Sequence, residues 1–161
     1  MCMLSNRCLL VGMIILTLTA GGYAADKDEM KKKVVDLVEL TLNDLAKDTP
    51  ATIEKINQGA EPYQSKTDAE LYAFVYDTDV SIVAHPKKDL VGRNFKGKPD
   101  VRGKKFRDEI VEKAVKDGSG WVDYSYQKPG EAGIHPKSTY CKTVKGSDGK
   151  QYVVCAGMYL D

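Results

Sequence analysis

The chain has 161 residues, with 24 Lys and Arg against 23 Asp and Glu and a formal net charge of +1 at pH 7. This balanced charge excludes the strongly basic surface that nucleic-acid binding requires. The length suits one hydrophobic core but not two ordinary domains after an export signal, so we expect a single domain over residues 25–161.

Residues 1–24 have the pattern of a secretory signal peptide. They contain Arg7 and no acid, an apolar run over Leu9–Ala20, and small residues at Gly22 and Ala24. The run is shorter than the roughly 20 residues that cross a bilayer, so we predict cleavage after Ala24 and a periplasmic or secreted protein. An uncleaved N-terminal anchor is the alternative. Because no second apolar run follows, we predict no membrane span in the mature chain.

Two helices are predicted at the start of the mature chain. From Glu29 to Lys47, apolar residues recur at spacings of three and four, which is the period of an amphipathic helix. Asp48–Pro50 then has the pattern of an N-cap followed by Pro at the first helical position, with Gly59 as a stop signal. These signals predict a second, short helix.

Two β-rich runs follow, Leu71–Tyr76 and Val80–Pro86, with the acidic turn Asp77–Asp79 between them. They predict a β-hairpin. Alternation along the first strand puts one set of apolar residues on each face of the sheet, Tyr72, Phe74 and Tyr76 against Leu71, Ala73 and Val75. A strand that is apolar on both faces is expected in the interior of a sheet.

The remaining pattern is a long loop, a helix and three strands. Residues 90–102 have no period and are rich in Gly, Lys and Pro, and loops of this length are usually functional. A helix is predicted from Phe106 to Gly118, and strands over residues 121–126, 137–144 and 151–160. Strands joined by hairpins predict an antiparallel sheet with the helices over one face, an α+β fold.

No enzyme signature is present. His85 and His135 each precede Pro, outside any helical or zinc-finger spacing, so we predict neither a metal nor a cofactor. Cys141 and Cys155 lie on either side of a turn, where a hairpin brings them nearly opposite each other. A disulfide and two buried thiols both remain open. A secreted enzyme that uses Cys141 or His85 is the alternative from another functional class.

Six short runs carry a more specific signal. The first two are an aromatic strand, Tyr72–Asp77, and a strand that ends in His-Pro, Val83–Pro86. The other four are similar to the motifs LVGKN (Leu90–Phe95), GWVxY (Gly120–Tyr124), PKxSY (Pro136–Tyr140) and GTGVYLD (Ala156–Asp161). In this order they resemble the single Cache domain family, of the kind called Cache type 2, which forms the extracellular half of bacterial chemoreceptors and kinases. The chain departs from that family at Val80, where the family has Gly. It also stops where a membrane helix would follow, so we expect a sensor module without its receptor half.

The resemblance implies a PAS-like antiparallel sheet of five or six strands with a long N-terminal helix packed across it. It also implies a non-enzymatic sensor with a pocket on one sheet face. The expected ligand is a small organic acid such as acetate, propionate, lactate or pyruvate, and the expected partner is a membrane receptor or kinase. An anchored interaction domain whose pocket is filled by its own side chains is a further alternative.

A small-acid pocket needs a cation among apolar walls, because a buried carboxylate is costly without one. Lys137, in the PK segment, is the first candidate. His85 is a candidate hydrogen-bond donor. Arg93 in the long loop is a candidate for a bidentate interaction of its guanidinium group with the carboxylate. Aromatic walls are expected from Tyr72, Phe74, Phe106, Trp121, Tyr124 and Tyr140. Trp121 and Tyr124 lie on opposite faces of their strand, so at most one of them points inward.

Overall fold

The computed structural model describes residues 21–160, with side chains from Asp26 onward. Most of the predicted signal peptide therefore lies outside the described residues. The helices and strands are α1 (Gly21–Lys47), α2 (Thr49–Asn57), β1 (Ala73–Asp77), β2 (Ile82–Ala84), α3 (Phe106–Asp117), β3 (Ser119–Tyr126), β4 (His135–Lys145) and β5 (Gln151–Tyr159), with a short 3-10 helix at Lys88–Leu90. Within residues 21–160, no helix is both long enough and apolar enough to cross a membrane.

Helix α1 follows the predicted period. It begins at Gly21, ahead of the predicted start at Glu29, and ends at Lys47 as predicted. Val34 and Val38, one turn apart, are fully buried against the sheet together with other residues of the same stripe. Because the apolar stripe is continuous, α1 lies along the sheet over most of its length.

Helix α2 begins where the sequence predicts. The Asp48 carboxylate accepts a 3.1 Å hydrogen bond from the backbone N–H of Ala51, which satisfies one of the free donors of the first turn. Pro50 occupies the first turn, where its missing N–H has no helical partner to lose. Ile56 then packs into the same core as α1.

The five strands form one antiparallel sheet in the order β2-β1-β5-β4-β3. This confirms the α+β class and a PAS-like sheet, with five strands within the predicted five or six. β1 lies inside the sheet, between β2 and β5, as its two apolar faces predict. The long pairing of β4 with β5 runs from Lys145 and Gln151 beside the turn to Lys137 and Tyr159 at the far end.

The expectation that the helices cover a single face is wrong. Helices α1 and α2 pack on one face, whereas Phe106, Ile110 and Ala114 of α3 pack on the other, with the long loop. The reason is that the sheet is apolar on both faces, so each face needs a covering layer. We call the face under α3 the aromatic face.

The first hairpin turn explains the departure from the family at Val80. The Asp77 carboxylate accepts hydrogen bonds from the backbone N–H groups of Asp79 (2.9 Å) and Ser81 (2.8 Å), which closes the turn. Val80 has a φ of 65°, in the left-handed region that favours glycine. Its side chain is nevertheless buried in the core of the aromatic face, and this burial offsets the backbone strain.

Candidate ligand-binding site

The aromatic face brings together four of the predicted wall residues. Tyr72 and Phe74 are neighbours on it, with ring centres 6.0 Å apart. Tyr124 of β3 points to the same face, and its ring stacks on Phe106 of α3 with 3.9 Å between centres. The Tyr124 hydroxyl shares a 2.9 Å hydrogen bond with the Thr139 hydroxyl, so its polar tip is satisfied within the site. The result is a packed aromatic wall that also contains tyrosine hydroxyl groups.

Lys137 lies on this face, at the end of the β4–β5 pairing that is far from the turn. In the sheet register it is opposite Tyr124 on β3 and Tyr159 on β5, and it is 1% exposed. Its Nζ donates a 2.9 Å hydrogen bond to the Tyr72 hydroxyl and lies 4.4 Å and 4.7 Å from the ring centres of Tyr72 and Tyr159. No salt bridge joins it to a carboxylate within the part of the chain that the structure describes.

The surroundings of Lys137 disfavour its charge. Burial lowers the pKa of its ammonium group from 10.5 to about 8, because the charged form loses hydration that the protein does not fully replace. The ring faces of the tyrosines attract the cation and compensate only in part. At pH 7 the group is still protonated, so the site contains a buried positive charge.

Gly157 of β5 makes room for the Lys137 side chain. This glycine was not among the site residues predicted from the sequence. A Cβ at this position would lie 2.8 Å from Cε of Lys137, 2.5 Å from Oγ1 of Thr139 and 2.8 Å from the carbonyl oxygen of Ser138. The last of these is a backbone atom that cannot move aside cheaply. A glycine inside a predicted strand is the signal that identifies such a close approach.

His85 provides a second donor beside the lysine. Its Nδ1 accepts a 2.8 Å hydrogen bond from the backbone N–H of Lys87, which assigns the ring proton to Nε2. Its own backbone N–H donates to the Asn57 side chain of α2, so the residue is held at the end of β2. Burial, followed by the charge of Lys137, lowers the pKa of His85 to about 4. The imidazole is therefore neutral at pH 7 and donates through Nε2.

Two cavities share Tyr72, His85 and Tyr126 in their walls. The outer cavity has a volume of about 440 Å³ and opens between the residues after His85 and the loop of residues 127–131. The inner cavity has a volume of about 10 Å³ and lies on the aromatic face between β1, β3 and α3. The outer cavity provides access, and the inner cavity accepts only a very small group without side-chain movement.

The arginine of the site is not the one that the sequence analysis selected. Arg93 is exposed in the long loop, with its guanidinium carbon 5.0 Å from the ring centre of Phe95. Arg107 of α3 is buried and lines the inner cavity. Its guanidinium carbon lies 4.2 Å from the ring centres of both Phe95 and Phe106. The apolar helix period gave no reason to place an arginine inside.

Two predicted wall residues lie away from the site. Trp121 and Tyr140 are directly opposite each other on β3 and β4, with ring centres 5.4 Å apart. They pack with the core beneath α1, on the face opposite to Lys137. The strand period had already allowed only one of Trp121 and Tyr124 to point inward, and the residue that does is Tyr124.

Cys141 and Cys155 are directly opposite each other in the β4–β5 register, and both thiols are buried and free. The Cys141 Sγ donates to the carbonyl oxygens of Gly120 (3.2 Å) and Ile110 (3.4 Å). Burial raises the pKa of Cys141 to about 11 and that of Cys155 well above its ordinary value. Both residues therefore act as small apolar groups under α3.

Comparison with known families identifies this architecture. A family model described as "Cache domain" matches residues 61–161, more than half of the chain. The chain belongs to the Cache domain family. This confirms the resemblance seen in the sequence and supports a sensory role.

Solved structures with the Cache fold align over most of the chain. A periplasmic sensor domain of a chemotaxis protein is 26% identical with a TM-score of 0.62, over 90% of this chain and 99% of that one. A methyl-accepting chemotaxis protein from Vibrio parahaemolyticus is 19% identical with a TM-score of 0.68, over 86% and 94%. A Cache chemosensory domain described in terms of carboxylic acid recognition is 18% identical with a TM-score of 0.66, over 86% and 98%.

A curated relative is the sensor histidine kinase MctS of Rhizobium johnstonii, which is 35% identical over 91 residues. The match covers 56% of this chain and 19% of the kinase. The chain therefore spans only a small part of the length of that relative.

Proposed function

We propose that this Cache domain binds a small carboxylate on its aromatic face and acts as the ligand-binding part of a sensory system. The observation that carries the proposal is the buried ammonium group of Lys137. Its contacts are one hydroxyl group and aromatic rings, with no carboxylate among the described residues. Because an unpaired buried charge is costly, an anion that enters the site is strongly favoured.

The neighbouring groups suit a carboxylate in particular. Lys137 uses one donor on Tyr72 and keeps two, and His85 donates through Nε2. Two carboxylate oxygens accept several such hydrogen bonds at once. We expect the tail of the acid to be short, because the inner cavity has a volume of about 10 Å³ and admits even a short tail only when the surrounding aromatic side chains move. We therefore propose acids of the acetate, propionate, lactate and pyruvate class. The carboxylic acid recognition ascribed to one domain of the same fold supports this ligand class.

Binding without turnover is the proposed activity. The alternative of a thiol enzyme requires a reactive thiolate, which an exposed, electropositive setting favours. Cys141 instead donates its proton to backbone carbonyls, and burial raises its pKa to about 11. The family relatives are sensor parts of chemotaxis proteins and of a kinase.

We also propose that residues 25–161 form one exported Cache domain, cut after Ala24 and located in the periplasm or outside the cell. Its partner would be a membrane receptor or kinase that responds to ligand binding. The description of one relative as a periplasmic sensor domain supports this location. N-terminal sequencing of the exported protein tests the cleavage site directly.

Titration calorimetry of the full chain with acetate, propionate, lactate and pyruvate tests the ligand proposal. We expect saturable binding of at least one acid and its loss in Lys137→Met, which keeps the length of the side chain without the charge. Tyr140→Phe is the matched control, since Tyr140 lies on the opposite face. The proposal fails if no acid binds the wild-type chain, or if Lys137→Met binds as the wild type does.

A further inference from the structure

The aromatic face contains a second buried cation. Arg107 lines the inner cavity with its guanidinium group between the rings of Phe95 and Phe106. It forms no salt bridge with a carboxylate within residues 26–160. Like Lys137, it is therefore a buried positive charge that aromatic rings surround and no acid neutralises.

The two cations border the same ring. The Arg107 guanidinium carbon lies 5.7 Å from the ring centre of Tyr126, and Nζ of Lys137 lies 5.8 Å from it. Tyr126 is also a wall of both cavities, together with His85. A ligand that lies beside Tyr126 is therefore near both Lys137 and Arg107, with His85 as a neutral donor. In the outer cavity the wall also contains Lys87, Lys128 and Glu131.

The charged and imidazole groups of this site donate hydrogen bonds. Lys137 and Arg107 have no acceptor atoms, and His85 donates because its Nδ1 is already occupied. Among the residues that line the inner cavity, none is an aspartate or a glutamate. A matching ligand therefore offers oxygen acceptors at two points and carries no positive charge.

We propose that Arg107 is a specificity-determining residue that recognises an oxygen on the carbon next to the ligand's carboxylate. This inference rests on the proposed carboxylate function. In a three-carbon acid whose carboxylate lies beside Lys137, an oxygen on this neighbouring carbon is the acceptor nearest to the carboxylate and is therefore the one placed to meet the second cation. A 2-oxo acid fits best because its carbonyl oxygen accepts and does not donate. A 2-amino acid is disfavoured because its ammonium group would lie beside two cations, and no carboxylate lines the inner cavity.

Four three-carbon acids test this inference, because pyruvate, L-lactate, propionate and L-alanine differ only in the group on carbon 2. Calorimetric titration of the full chain at pH 7 should give the order pyruvate, lactate, propionate, with no saturable binding of alanine. We expect pyruvate to bind at least about tenfold more tightly than propionate, the factor that one hydrogen bond to a charged group provides.

The decisive variant is Arg107→Met, whose side chain fills the space between the rings of Phe95 and Phe106 but has no hydrogen-bond donors. The ratio of pyruvate to propionate affinity should fall to about one, because both acids then lose the Arg107 charge and only pyruvate also loses the hydrogen bond to its second oxygen. Arg107→Lys keeps the charge but loses the planar fork, and it should lower the ratio at least threefold even if the methionine variant does not fold. Near-ultraviolet circular dichroism checks folding of both variants.

The outcomes separate this inference from the proposed function. If no carboxylate binds the wild-type chain, the carboxylate proposal itself fails. If acids bind through Lys137 but the pyruvate ratio is unchanged in a folded Arg107 variant, Arg107 has only a packing role and the inference is overturned. Binding of alanine as tight as that of pyruvate would also overturn it.

Discussion

Removal of the buried charge at Lys137 should stabilise the protein, even though we propose that this charge binds the ligand. Burial lowers the pKa of Lys137 from 10.5 to about 8, and each pKa unit corresponds to about 1.4 kcal/mol. The buried charge therefore costs the folded state about 3 kcal/mol. In Lys137→Met this cost disappears, while the lost hydrogen bond to Tyr72 costs about 1 kcal/mol. We expect the variant to be more stable by about 2 kcal/mol at pH 7.

The stability difference between Lys137→Met and the wild type should depend on pH, because the pKa of Lys137 is lower in the folded chain than in the unfolded chain. Below pH 8, Lys137 is protonated in both the folded and unfolded chains, so the full cost is present. Between about pH 8 and 10.5 the folded chain releases the proton first. The unfolded state then binds more protons, and wild-type stability rises with pH relative to the variant. Near pH 10.5 the charge-related gain should be gone, leaving the variant slightly less stable because of the lost hydrogen bond.

Urea unfolding at pH 7, 8, 9 and 10 measures both effects. At pH 7 the midpoint of Lys137→Met should be higher by about 1 M. Lys116→Met is the matched control, because Lys116 is exposed on α3, and it should change stability by less than about 0.5 kcal/mol. A Lys137→Met variant that is less stable than the wild type at pH 7, or a gain that does not shrink as the pH rises, refutes the reasoning.

Two further predictions concern binding. Gly157→Ala should weaken carboxylate binding at least tenfold, because the new Cβ displaces the Lys137 side chain. It should also lower the free energy of unfolding by about 1–3 kcal/mol, because the Cβ meets the Ser138 carbonyl. Wild-type affinity of this variant in titration calorimetry would contradict this role of Gly157. Affinity should fall about tenfold per pH unit above the Lys137 pKa of about 8, since the ammonium group is the binding form. For pyruvate, whose carboxyl group stays ionised, affinity should be level between pH 5 and 7, because His85, with a pKa of about 4, stays neutral there. A titration step near pH 6.5 would contradict this assignment.

The fold could be predicted from the sequence because its signals are local. The period of α1, the cap at Asp48 and the alternation at Tyr72 and Phe74 each depend on residues a few positions apart. The position of α3 could not be predicted in the same way. Its apolar stripe shows that it covers a surface, but the choice between two apolar faces depends on contacts distant in sequence.

The site residues also differ in whether the sequence could predict them. Lys137 and His85 were identified from short runs that resemble a family, and the structure brings them together beside Tyr72. Arg107 was missed because an arginine in a helix usually faces solvent, and its burial depends on Phe95 from the long loop and Phe106. Gly157 was missed because the groups that need its small size, Lys137, Ser138 and Thr139, belong to the neighbouring strand β4.

The buried ammonium group also sets a scale for signalling. A ligand shifts a conformational equilibrium only by the difference between its affinities for the two states. If the ammonium group is buried in only one of the two signalling states, neutralisation of a charge that costs about 3 kcal/mol corresponds to a shift of roughly a hundredfold, whereas a change from 1:99 to 99:1 needs about ten thousandfold. The Lys137 charge would thus supply about half of the logarithmic range of a complete switch. The remainder would have to come from other contacts that differ between the states, and the second cation on α3 is positioned to contribute to them.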